Sequence, residues 1–305
     1  MLRGTMALRG KAAQAAGCLI AISAFCFVAS LSPCYAAGPQ PSDSAEAPPS
    51  PAALLENGFR NLYELNFKGA RADFLSYQER NPSDAMGSAA EAASYLYEEF
   101  NDKGIFTSKF FLDDEKFLHG AEGSAAENRN PAFLAANSRA RAMAKATLKT
   151  EPNNAHALLV LTMADGMESD YDAMIVKKQM AGLGLMRQAE AEANKLLAID
   201  PDAKDAYLAL GASNYVIGNL SGVKRAFLWF GGIHGDKDRG IEQLQLAADH
   251  GHYLKPFAKI MLALAYEREH KMDLARPLLA SLVNEFPSNP LYAHELSLID
   301  HPTEP

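Results

Sequence analysis

Cysteine is missing from most of this chain. Its three copies, Cys18, Cys26 and Cys34, all fall among the first 36 of 305 residues. The remainder therefore has no disulfide, no thiol nucleophile and no thiolate metal ligand. Tryptophan occurs once, at position 229. Clusters of β-branched residues are few, which argues against a sheet. Positive charge is short as well: 29 Lys and Arg stand against 37 Asp and Glu, a net charge of −8. Arg3, Arg9 and Lys11 precede residue 37 and no acid does, so the rest carries 26 basic and 37 acidic residues, a balance of −11. That balance disfavours nucleic acid and an anionic membrane surface as main partners. The G-x-S-x-G, H-E-x-x-H and G-x-x-x-x-G-K-[ST] patterns are also absent, and no cofactor is implied.

The N-terminus has its own composition. A basic stretch, "MLRGTMALRGK", precedes a long uncharged apolar run and then "PCYAAGPQ". This order reads as a secretory signal, residues 1–36, cleaved after Ala36 with small residues at Cys34 and Ala36. The expected product is exported, periplasmic or secreted. Two alternatives remain: retention of residues 12–32 as a membrane anchor, or lipid attachment at Cys34. In the second case "LSPC" sets Pro33 where a lipoprotein signal wants a small residue. Membrane contact is expected only in those two cases. Residues 37–52 are rich in Pro, Ser and Ala and read as a solvated linker. Residues 53–300 read as the folded domain, and 301–305 as a tail.

Within the domain a pattern recurs four times. An Ala stands twelve residues before a Pro at Ala70/Pro82, Ala140/Pro152, Ala189/Pro201 and Ala275/Pro287. Ser83, Asn153, Asp202 and Ser288 follow the prolines. A small residue lets two helices approach closely, and apolar residues further on supply the buried stripe. The proline stops the helix, and the polar residue after it is suited to cap the next. In the last unit Asn289 is the expected cap, with Pro290 in the first helical position.

These features resemble the tetratricopeptide repeat family, which pairs an A and a B helix over about 34 residues. Leu262, Ala263, Tyr266, Ala275, Leu279, Leu282 and Pro287 fall at family positions, as do Tyr207, Leu210 and Gly211 in the preceding unit. The unit from Pro51 matches through Leu54, Gly58, Ala70, Phe74 and Pro82. Ala140 to Pro152 makes a good B helix with a poor partner before it. The likeness is patchy, with extra residues after the Ala155 helix and an insertion over 217–255. The chain also resembles a group of exported bacterial tetratricopeptide proteins with a Gly-Asp turn after an inserted aromatic helix, a likeness that brings no activity with it. The resemblance implies an all-α fold, an α-solenoid of helix hairpins with inserted helices. It implies a non-catalytic scaffold or adaptor that binds another protein.

In that architecture a partner lies in the concave face, along the A helices. The corresponding positions give a candidate groove of Leu159, Met163, Leu208, Tyr215, Ile260 and Leu264, with His156, Gly166, Asp205, Ala212, Phe257 and Glu267 beside them. Lys, Arg and Asn of the carboxylate-clamp subtype are missing there. Two explanations of an apolar groove stand together: it takes a protein segment, or an inserted helix over 220–230 fills it. That helix, with Arg225, Phe227, Trp229 and Phe230, is equally a candidate docking element. In "FLWFGGIHGDKDRG" the glycines suit a helix stop and Asp236 or Asp238 a following cap. His234, Asp236, His250 and His252 are the candidate metal ligands of an alternative reading, a metal-dependent hydrolase. Glu267 and His270 have the i, i+3 spacing of di-iron bundles, without a second copy on another helix. Phe106, Phe110, Phe111 and Phe117 suggest a packed helix between units, followed by a flexible segment over 121–130.

Overall fold

The computed structural model describes residues 49–220 and 234–301, all within a compact unit spanning Pro48–Pro305. The signal-like segment, most of the linker, and the aromatic residues Phe227, Trp229 and Phe230 with Arg225 lie outside the described residues. Among the described residues there are thirteen helices and no strand. None of these helices is long and apolar enough to cross a membrane.

Helices α1 (Pro51–Tyr63) and α2 (Phe67–Arg80) form the first hairpin. The first helix starts at Pro51, where Ser50 caps it by accepting the Ala53 N–H at 3.2 Å. Helix α3 (Ala85–Asp102) pairs with α6 (Arg129–Thr150), and the short α4 (Ser108–Phe111) and α5 (Asp114–His119) are inserted between them. The Ala140 helix thus has a partner, displaced in sequence by the insertion. Helix α7 (Ala155–Met174) pairs with α8 (Gln179–Ile199), α9 (Ala206–Gly218) with α10 (Lys237–His250), and α11 (Lys255–Arg268) with α12 (Met272–Glu285). Helix α13 (Pro290–Asp300) covers the last hairpin.

The fourfold pattern has one physical meaning at each copy. Ala70, Ala140, Ala189 and Ala275 are buried where a B helix meets its neighbours. Each B helix ends two residues before the proline. The residue between, Asn81, Glu151, Asp200 or Phe286, sits at φ between −131° and −127° and still donates its N–H to the carbonyl four residues back. Clash with the proline ring excludes the helical region for that residue. The caps lie one residue later than expected in two cases. Asp84, not Ser83, accepts the Met86 N–H, and Asn154, not Asn153, accepts that of Ala157. Asn289 caps α13 as anticipated, with Pro290 in its first turn. Three A-to-B turns hold a left-handed residue: Leu65 after α1, Lys177 after α7 and His270 after α11, at φ 61°, 60° and 56°. His270 therefore serves a turn, with its N–H on the Glu267 carbonyl at 3.0 Å.

The segment before α6 is held at several points. The Ala121 N–H donates to the Met174 carbonyl at 2.8 Å, and Lys103 Nζ donates to the carbonyls of Glu122 and Ser124. Phe106, Phe110, Phe111 and Phe117 are all buried.

The superhelix returns on itself. Tyr63 of α1 donates its hydroxyl to the Tyr253 carbonyl at 2.7 Å, and Asn289 Nδ2 donates to the Tyr63 carbonyl at 2.8 Å. Phe59 stacks on Tyr253 with ring centroids 4.7 Å apart. Tyr97 of α3 meets Phe257 of α11 at 5.2 Å. The first and last hairpins are thus in contact, and the A helices α1, α3, α7, α9 and α11 surround a common interior.

Candidate functional site

The interior of this ring is a cavity of about 100 Å³. Phe59, Leu62 and Tyr63 reach it from α1, Ala93 and Tyr97 from α3, and Met186 and Ala189 from α8. Helix α7 contributes a stripe with Met163, Gly166, Met167 and Asp170, and α9 contributes Leu208, Ala209, Ala212 and Ser213. Leu254 and Phe257 come from the start of α11. A side-chain carbon built at Gly166 meets nothing within 4 Å, so the ring interior is open at that point.

The six expected groove residues do not form one surface. Met163 and Leu208 line the cavity. Leu159 lies instead on an outer cavity of about 390 Å³, with His156, His250 and His252. Tyr215, Ile260 and Leu264 are buried in the core. The Tyr215 hydroxyl donates to the Ala265 carbonyl, and its ring stacks on Phe111 of the inserted α4. The closed ring turns these positions inward, where a straight solenoid would present them along an open face. Glu267 is also buried, and burial with the nearby Glu295 pushes its carboxyl up to about 7.

Polar groups gather where the A helices begin, which suits acids near positive helix ends. Asp84 accepts hydrogen bonds from His156 Nε2 at 2.7 Å, from the Tyr77 hydroxyl and from the Met86 N–H. Burial raises its carboxyl, but these donors more than offset that and hold it at about 2. The hydrogen bond to Asp84 raises His156 in turn. Across the rim, His252 Nε2 lies 2.7 Å from Glu56 Oε1. Asp205 accepts the N–H groups of His252, Tyr253 and Leu254 at 2.7, 3.0 and 3.2 Å.

The Asp84–His156 pair makes stability depend on pH. A raised histidine contributes fully below its unfolded value of 6.5 and loses that contribution as pH rises through the folded value. A depressed carboxyl contributes above its unfolded 3.8 and loses it as pH falls toward about 2. The stability difference between wild type and His156→Ala should therefore be largest between pH 3.8 and 6.5. Urea unfolding at pH 5 and pH 9 measures it, and an equal difference at both would show that the pair is not formed.

Two of the candidate metal ligands, Asp236 and His252, are used otherwise. Asp236 caps α10 through the Asp238 and Arg239 N–H groups at 3.0 and 3.1 Å. His252 faces Glu56, His250 is exposed on the outer cavity, and His234 is exposed ahead of α10. Among the described residues, no three His, Cys, Asp or Glu side chains converge to hold a metal ion.

Sequence reasoning missed Asp170. It sits one turn beyond Gly166 on the same stripe of α7, past the point where an A helix of ordinary length stops. Burial pushes its carboxyl up to about 7.

Hairpins in series, small residues at each close approach and a proline stop after each B helix define the class: an all-α protein of successive helix hairpins, closed around a small interior. No family model matches the sequence, and no curated protein matches it. Among solved structures the chain is similar to a thermophilic tetratricopeptide repeat protein of Thermus thermophilus. The identity is 15%, the TM-score 0.45, and the match covers 82% of this chain and 98% of that one.

Proposed function

We propose that this chain is a non-catalytic scaffold that binds another protein in the bacterial cell envelope. The observation that carries this reading is the architecture. Helix hairpins packed side by side present a continuous helical exterior, and the ionisable groups at the rim are engaged in caps and ion pairs. The basic start, apolar run and small-x-small site within residues 1–36 support export. The hydrolase reading is not favoured, because Asp236 and His252 have structural partners and the four candidate ligands do not converge.

Crosslinking in intact cells, followed by capture of the full-length chain from the envelope fraction, tests the proposal. The expected result is one protein partner at fixed stoichiometry. N-terminal sequencing of the same material should give Ala37, whereas an acylated Cys34 would identify a lipid-anchored form. Recovery from the cytoplasm alone, or one tightly held metal per chain that is lost in His252→Ala, would overturn the reading.

A further inference from the structure

Most buried carboxylates of this protein have a stated use. Asp165 pairs with Arg141 at 2.6 Å, and Asp205 binds three backbone N–H groups. Glu295 accepts the Ser108 N–H at 2.9 Å. Asp170, half-buried on the wall of the interior, differs: desolvation alone shifts its carboxyl, and no hydrogen bond or ion pair to it is formed by the described residues. It shares the ring interior with the Ser213 hydroxyl, which lacks a protein hydrogen-bond partner, and with the Tyr97 hydroxyl, which lies against that of Tyr63. Tyr97 is close enough to Asp170 for the carboxylate to help hold its phenol up, after burial and the neighbouring Tyr63 and Tyr292.

The rest of the lining selects a ligand charge. No Lys, Arg or His side chain lines the interior among the described residues, so an anion would find no countercharge. The aromatic faces of Phe59, Tyr63, Tyr97 and Phe257 are negative at their centres and attract cations. Met163, Met167 and Met186 supply polarizable, adaptable surface. The Asp170 carboxylate, without a charged partner in an apolar, aromatic chamber that Asp205 also lines, is costly unless a positive group meets it.

We infer that the ring interior is a binding site for a small organic cation, an ammonium group on an apolar body, held by the Asp170 carboxylate and the surrounding aromatic rings. The Tyr97 and Ser213 hydroxyls flank it as acceptors for the remaining ammonium N–H groups. This site is independent of the protein-binding surface proposed above. The rival occupant is water, which needs roughly 10–15 Å³ of such space per molecule and would satisfy the same three groups.

Calorimetric titration of the full chain with phenylethylammonium, 2-phenylethanol and phenylacetate separates charge from shape. The ammonium should bind at least about tenfold more tightly than the alcohol, with no heat from phenylacetate. Asp170→Asn keeps the shape and removes the charge, so it should weaken the ammonium by about tenfold or more and leave the alcohol unchanged. Gly166→Leu grows into open space, so it should fold and exclude both ligands. Thermal melts confirm that each variant is folded. Absence of ammonium binding to wild type, equal binding of ammonium and alcohol, or unchanged ammonium binding in Asp170→Asn or Gly166→Leu would each overturn the inference.

Discussion

Replacing Gly240 by alanine should destabilise the protein by about 3 kcal/mol, the upper end of the usual overpacking range. In an exposed helix the same change would stabilise by up to about 1 kcal/mol, because alanine is the better helix former. The sign is reversed here by contact between backbones. A methyl group at Gly240 would lie 2.5 Å from the Tyr215 nitrogen, 2.8 Å from its Cα and 2.9 Å from the Gly211 carbonyl oxygen. None of these is the end of a flexible side chain, so α9 and α10 would have to move apart. Gly211 meets α10 in the same way, 2.7 Å from the Leu244 nitrogen. The two glycines form a reciprocal crossing that sets how closely this hairpin closes. Urea unfolding measures the loss, and an unchanged or raised midpoint would mean that the hairpin is looser than the structure shows.

What was legible in the sequence is what each repeat decides locally. The small residues at Ala70, Ala140, Ala189 and Ala275 and the stops before Pro82, Pro152, Pro201 and Pro287 depend on one hairpin, so they appear in the chain as a spacing. The cap at Asp236 is equally local. Ring closure is not local. It results from small rotations accumulated over several hairpins, and no residue encodes it alone. Groove positions carried over from an open solenoid therefore failed where closure matters. Tyr215 and Leu264 became core, and Leu159 fell on the outside. Asp170 was invisible for a related reason. Only the added turn of α7, 20 residues long, brings that position to the interior.

The insertion carrying α4 and α5 has a comparable non-local role. Arg268 of α11 donates to the Phe111 carbonyl at 2.7 Å and pairs with Asp114, and its guanidinium lies 4.6 Å from the centre of the Phe117 ring. Ser108 is bonded to Glu295 of α13. The inserted helices thus fasten the early part of the chain to the late part, opposite in sequence to the junction made by α1. Its four phenylalanines suggested packing, but nothing in the stretch indicated that the partner lay about 150 residues away, as the 157-residue separation of Phe111 and Arg268 shows.

Asp205→Ala should have the largest effect of any single polar substitution at the rim, about 3–4 kcal/mol, because hydrogen bonds to a charged group contribute about 1.5–3 kcal/mol and their loss leaves buried donors unpaired. The three N–H groups it holds belong to the turn at 252–254, and this turn is the clasp of the ring. On one side Asp205 fixes its backbone from α9. On the other side the turn engages α1 through the Tyr253 ring on Phe59, the Tyr253 carbonyl under the Tyr63 hydroxyl, and His252 beside Glu56. Without the carboxylate the turn is free to leave its position, and α1 loses the surface on which it closes. The loss should therefore be unevenly distributed. Hydrogen exchange should accelerate most in α1 and the start of α11 and least in the α7–α8 hairpin, to which the turn at 252–254 makes no hydrogen bond. Asp205→Asn retains one acceptor oxygen and should lose about half as much. A cost below about 1 kcal/mol for the alanine variant, or exchange that rises equally in α1 and α7, would mean that closure rests on apolar packing between the end hairpins and that Asp205 serves only its own loop.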